Sequence, residues 1–201
     1  MSRILRIALL AACLPAAAAW AQTAPADGNE PSEGELSLGT TEGAEPEVGA
    51  TYVLEEHGDW QIRCVKTEDG RDPCQMYQLL ADGEGNSVAE FSLFNLPEGQ
   101  EALAGSTVIT PLETLLTAQL RIAVDAGQGK RYPFAFCSQI GCFARLGFTS
   151  AEIDGFKRGA AATVTIVPAA APDQTVELKL SLKGFTAGWD AVKAANARNA
   201  E

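Results

Sequence analysis

Histidine is almost missing from this chain of 201 residues: His57 stands alone. A metal centre built on imidazole needs a second histidine or a cage of carboxylates, and a general base at position 57 would need partners brought in from distant sequence. Its neighbours Glu55, Glu56 and Asp59 fit an exposed loop residue ahead of a strand. No G-x-S-x-G marks a nucleophilic serine, and Gly105-Ser106 has no base near it in sequence. Gly127 to Lys130 lacks the G-x-x-x-x-G-K-S/T of a phosphate cradle and reads as a hairpin turn. Basic residues are scarce too, 15 Lys and Arg against 26 Asp and Glu, for a formal charge of −11. That balance argues against nucleic acid or anionic lipid as the principal partner. No apolar run is long and unbroken enough for a convincing membrane span. The sequence therefore names no reaction: no catalytic residue, cofactor or metal ligand is assigned.

What is present begins with an export signal. Arg3 and Arg6 form a positive n-region, Ile7 to Ala19 an alanine-rich apolar stretch broken by Pro15, and Ala19-Trp20-Ala21 an A-x-A cleavage site. Residues 1–21 are thus expected to be removed, which takes the formal charge from −11 to −13. Leu10-Ala11-Ala12-Cys13 also resembles a lipobox, which would leave Cys13 lipidated. Only six apolar residues separate it from Arg6, so the soluble product is favoured. Residues 22–50 carry seven acidic residues and no Lys or Arg among Pro, Gly, Ser and Thr. Such a segment has too little apolar surface to offset its ordering entropy, and it reads as a disordered acidic linker.

Export decides how the cysteines are read. Without Cys13, four remain, Cys64, Cys74, Cys137 and Cys142, an even number in an oxidising compartment. Three pairings are possible. Cys64 with Cys74 and Cys137 with Cys142 are favoured because each pair brackets a turn-like segment. A four-cysteine zinc site fits the spacings poorly, and neither spacing is the C-x-x-C of a redox pair.

The remainder, 51–201, is long enough for one domain with its own core. Alternation places strands at Trp60–Val65, Cys74–Leu80, Ser87–Leu96, Ser106–Thr110, Leu120–Val124, Lys130–Phe136, Phe143–Phe148, Ala162–Val167 and Thr175–Leu182. Thr114–Leu120 reads as a loop or short turn. In Tyr132–Cys142, Phe134 and Phe136 are expected on the core face, with Gly141 supplying a positive φ for the hairpin. Thr149 with Glu152 makes a capping box for a short helix ending at Gly159, and Trp189 and Val192 mark a terminal helix from Thr186 toward Ala197, expected to cover a sheet edge. The fold class is mainly β: an antiparallel β-sandwich or open barrel with one short internal helix and a C-terminal helix.

Taken in order, Gly58-Asp59-Trp60, Arg63-Cys64, Cys74 with Met76, Thr110-Pro111-Leu112, Val124-Asp125, Pro133-Phe134, Cys137 with Gly141-Cys142, and Ser181 to Thr186 resemble the invasion-associated locus B family. The resemblance implies an exported protein of a Gram-negative bacterium and carries over no catalytic residue. Relatives often have Gly and Ile after the Pro-Leu step and Pro-x-Gly before the next strand; here stand Glu113-Thr114 and Thr117-Ala118-Gln119. Three function classes remain. The favoured one is a non-enzymatic periplasmic or secreted interaction module, its disulfide-pinned β-scaffold presenting loops to an envelope or host-surface protein. The alternatives are a small-ligand or lipid-binding sandwich, which needs an apolar cavity, and a hydrolase, which needs a Ser, His and carboxylate cluster including His57.

Overall fold

The computed structural model describes Gly43 and residues 45–198. The expected signal segment, Cys13 and linker residues 22–42 lie outside the described residues. Eleven strands and two helices follow: β1 Thr51–His57, β2 Trp60–Val65, β3 Cys74–Ala81, β4 Ser87–Asn95, β5 Ala104–Thr110, β6 Leu120–Val124, β7 Lys130–Tyr132, β8 Phe134–Ser138, β9 Gly141–Phe148, α1 Ser150–Arg158, β10 Ala161–Ile166, β11 Val176–Ser181 and α2 Phe185–Arg198.

All pairings are antiparallel, in the order β7-β6-β10-β11-β3-β4-β5-β9-β8, with β2 also on β3 and β1 on β2. The expected strand Lys130–Phe136 is two strands, divided at Pro133. Proline cannot donate to a ladder, and here it carries the chain from β7, paired with β6, to β8, paired with β9. The two end strands of the path are thus joined through one residue, and the sheet is a nearly closed, sandwich-like barrel. Strand β1 was not anticipated because a bulge between Val53 and Glu55 breaks its alternation.

Another bulge corrects the reading of the Tyr132–Cys142 stretch. Phe134 pairs with Ala144 and packs against the core, but the register shifts before Phe136, which pairs with Phe143. Phe136 is 43% exposed and stacks on half-buried Phe143, ring centroids 4.7 Å apart, on the outer face. Cys137, exposed at the hairpin end, pairs directly with buried Cys142.

Inside, five rings close a circuit. Trp60 of β2 meets Phe91 of β4, Phe91 meets Phe148 of β9, Phe148 meets Phe156 of α1, Phe156 meets Phe185 of α2, and Phe185 returns to Trp60, with centroids 5.1–6.4 Å apart. Each contact adds about 0.5–1.5 kcal/mol beyond burial. The circuit therefore ties both helices to β2, β4 and β9. α1 starts as its sequence dictates: the Glu152 N–H donates to the Thr149 hydroxyl, and the Thr149 N–H donates to the Glu152 carboxylate. α2 does not cover an edge. Its buried Phe185, Gly188, Trp189, Val192 and Ala195 lie across β2, β3 and β4 as part of the core, because a stripe that apolar is better buried against a sheet face than at its rim. Its Asn196 side chain donates to the Cys74 carbonyl and accepts from the Cys74 N–H.

Candidate functional site

The residues that carry the family resemblance meet in pairs. Gly58, at φ +61°, turns β1 into β2 against Lys183-Gly184; a Cβ on Gly58 would lie 2.6 Å from the Lys183 carbonyl oxygen, and one on Gly184 would lie 2.1 Å from that of His57. The Asp59 N–H donates to the Lys183 carbonyl, and the Ser181 hydroxyl donates to the Asp59 carboxylate at 2.6 Å. Thr110 meets Gly141-Cys142: its hydroxyl donates to the Cys142 carbonyl, and a Cβ on Gly141 would lie 2.5 Å from the Thr110 carbonyl oxygen. Asp125 accepts from the N–H groups of Ala160 and Ala161, fixing the link between α1 and β10. These signature residues are fastenings of the barrel, and their roles are spent within the fold.

The most demanding fastening is at β3, whose one edge is shared by β2 over its first half and β11 at its end. Between them, the Gln78 side chain acts as a substitute peptide group. It accepts from the Ser181 N–H at 2.7 Å and donates to the carbonyls of Ser181 at 3.1 Å and Asp59 at 3.2 Å.

His57 is not in a loop; it ends β1, held there by the Gly58 turn, with Nε2 3.1 Å from Glu55. Ser106, the serine weighed as a nucleophile, faces the core at 3% exposure. The sulfurs of Cys64 and Cys74 are bonded, as are those of Cys137 and Cys142, so the four are not gathered about one point. Among the described residues no group of three or more His, Cys, Asp or Glu is placed to hold a metal ion, and no helix is long and apolar enough to cross a membrane.

What the fold leaves unspent is the outer face of β1–β5, β9 and β8. One cross-strand row runs Leu79, Glu90, Ile109, Phe143, Phe136, and the next runs Glu56, Gln61, Tyr77, Ser92, Thr107, Arg145. Two arginines lie on aromatic rings: Arg63 is 3.3 Å from the Tyr77 centroid and Arg145 5.4 Å from that of Phe136. Arg63 also donates twice to the Gln61 side chain, which in turn donates to Glu56. Burial, then the Glu90 carboxylate, pushes the Tyr77 hydroxyl above its ordinary range, so it remains a donor. The Arg63–Tyr77 stack borders a depression of about 200 Å³ floored by Ser92 and Thr107 and a cleft of about 580 Å³ at the β2–β11 fork. The hairpin tip places Ile140, 74% exposed, beyond the aromatic row. Phe136 was expected on the core face; only the bulge turns it outward beside Phe143, and no local signal marks it.

Residues 60–193 match the family model described as invasion associated locus B (IalB) protein. The chain is 29% identical over 147 residues to an invasion protein B homologue of Brucella abortus strain 2308, covering 73% of this chain and 82% of that one; a homologue from biovar 1 strain 9-941 matches equally. The crystal structure of invasion associated protein B from Bartonella henselae superposes with a TM-score of 0.61 at 21% identity, covering 72% of this chain and 97% of that one, which shows a shared fold.

Proposed function

We infer the function from one premise: this chain belongs to the invasion-associated locus B family. It is an exported, non-catalytic interaction protein of the cell envelope. Residues 1–21 direct export, residues 22–50 act as an acidic spacer, and the folded domain docks a protein partner on its outer β-face. The protein resides in the periplasm or is released to the cell surface, and the names of its relatives agree with a surface-directed role.

The outer face carries this reading. Aromatic residues and arginine are the types enriched at binding hot spots. Here they are held in place beforehand: Arg63 by Gln61 and Tyr77, Phe136 by Phe143 and the Cys137–Cys142 bond. Preorganised side chains lose less entropy on docking than free ones. The test is cross-linking of the tagged protein in intact envelopes, with and without residues 23–42. One discrete partner captured by both forms, and lost when F136S is combined with R145E, supports the reading. Capture that survives those two substitutions, or no partner above background, overturns it. H57A is expected to capture normally.

A further inference from the structure

Within α1 stands a glycine that packing does not require. A Cβ on Gly155 would meet no atom within 4 Å beyond the backbone of its own helix, although glycine inside a helix costs roughly 0.5–1 kcal/mol relative to alanine. The space it leaves belongs to a cleft of about 420 Å³ between α1 and the β6–β7 hairpin, in the size range of small-molecule sites. Ile122, Val124, Phe148 and Phe156 supply its apolar lining, and the opposite rim is Gly127-Gln128-Gly129, again nearly without side chains.

The polar groups of the cleft converge on one carboxylate. Lys130 Nζ lies 2.7 Å from Glu152 Oε1, and the Tyr132 hydroxyl donates to the same oxygen at 3.2 Å. Oε2 is taken by the N–H and hydroxyl of Thr149. Burial pushes the Glu152 carboxyl up, but the hydrogen bonds from Lys130 and Thr149 outweigh it and hold the group below its ordinary range. Burial, then the Glu152 charge, pushes the Tyr132 hydroxyl up. The acceptor sites of the Glu152 carboxylate are therefore consumed. Donor capacity is not: an ammonium has three N–H donors, and the Lys130 side chain is 63% exposed.

We propose that this cleft is a second site, separate from the outer face, that binds a small amphipathic carboxylate, its anion on Lys130 and its ring or chain on the lining of Phe148, Phe156, Ile122 and Val124. The probes are 3-phenylpropionate and octanoate, with 3-phenylpropanol as the uncharged comparison, titrated into the disulfide-bonded protein and followed by amide NMR shifts. Saturable shifts confined to residues 122–132 and 148–156 are expected, and G155L, which fills the space, should abolish them. K130Q removes one charge-assisted hydrogen bond; it should weaken the acids roughly tenfold and leave the alcohol unchanged. K130Q also keeps the test decisive if G155L folds poorly, because Lys130 is exposed. Absence of saturable shifts at these amides, binding unaffected by K130Q, or the alcohol binding as well as the acid would each overturn the proposal.

Discussion

Replacing Gln78 with methionine tests whether one side chain stands in for a missing stretch of sheet. The substitution keeps length and approximate volume but removes three hydrogen bonds, to the N–H and carbonyl of Ser181 and the carbonyl of Asp59, at a site where Gln78 is only 8% exposed. Each buried bond contributes about 1 kcal/mol net, and a partner left unsatisfied costs about 1–3 kcal/mol. Water entering the adjoining cleft can reach some of the orphaned groups, which keeps the total below the sum of the upper values. The expected loss is about 2–4 kcal/mol, a fall in Tm of roughly 10 °C for a domain of this size. Urea denaturation should show a lower midpoint with an unchanged slope. Gln78→Glu should not rescue it, because a carboxylate would face two carbonyl oxygens. A Q78M protein within about 0.5 kcal/mol of the parent, the range of ordinary surface substitutions, would refute the role given to Gln78.

Gln119 sits at φ +61° and ψ 156°, a region nearly reserved for glycine, so Q119G should stabilise the domain by about 1 kcal/mol as relief of roughly 1–3 kcal/mol of strain exceeds the entropy cost of glycine; chemical denaturation reads the sign, and a loss of stability would count against it. Asp72 accepts from the Thr67 N–H, the Tyr52 hydroxyl and the Thr67 hydroxyl and lies near Lys66, and these hold its carboxyl down at about 2 against an ordinary 3.8. Because the folded value is depressed, the stabilisation is present above pH 4 and is lost as pH falls from about 4 to 2. D72N should flatten the acid limb of a stability–pH profile in that window, and an unchanged limb would assign it to other groups. Removing Cys137–Cys142 with paired alanines should cost about 2 kcal/mol and removing Cys64–Cys74 about 3 kcal/mol, in order of loop length; the reverse order in thermal scans would show that loop entropy is not the governing effect.

Much of the scaffold was legible because local chemistry coincides with the fold. Trp60–Val65 and Leu120–Val124 alternate and are strands at those bounds, and Thr149 with Glu152 caps the helix it announces. Errors arose where one residue changes the phase or direction of a strand. The bulge before Phe136 turns an aromatic outward, and Pro133 splits an apparently continuous strand, yet both depend on which strand lies alongside, which no local pattern records. Strand β1 was hidden in the same way by its bulge at Leu54. Gln78 looked like an ordinary polar residue of a strand; its role arises only because β2 and β11 share one edge of β3. The outer face is legible only from cross-strand register, since Tyr77, Thr107, Arg145 and Phe136 lie on four different strands. The Lys130–Glu152 pair joins residues 22 apart and could not be read from spacing.

The central claim, that the outer β-face meets a protein partner in the envelope, is tested most directly by placing a photo-cross-linking residue at single positions in the exported protein. Thr107 and Phe136 report on the face, while exposed Asp173 and Lys193 report on surfaces away from it. Irradiation of intact cells should give one adduct of the same mass from Thr107 and Phe136 and none from Asp173 or Lys193. Adducts that form equally from all four positions, or only from Asp173 or Lys193, would contradict the assignment of this face.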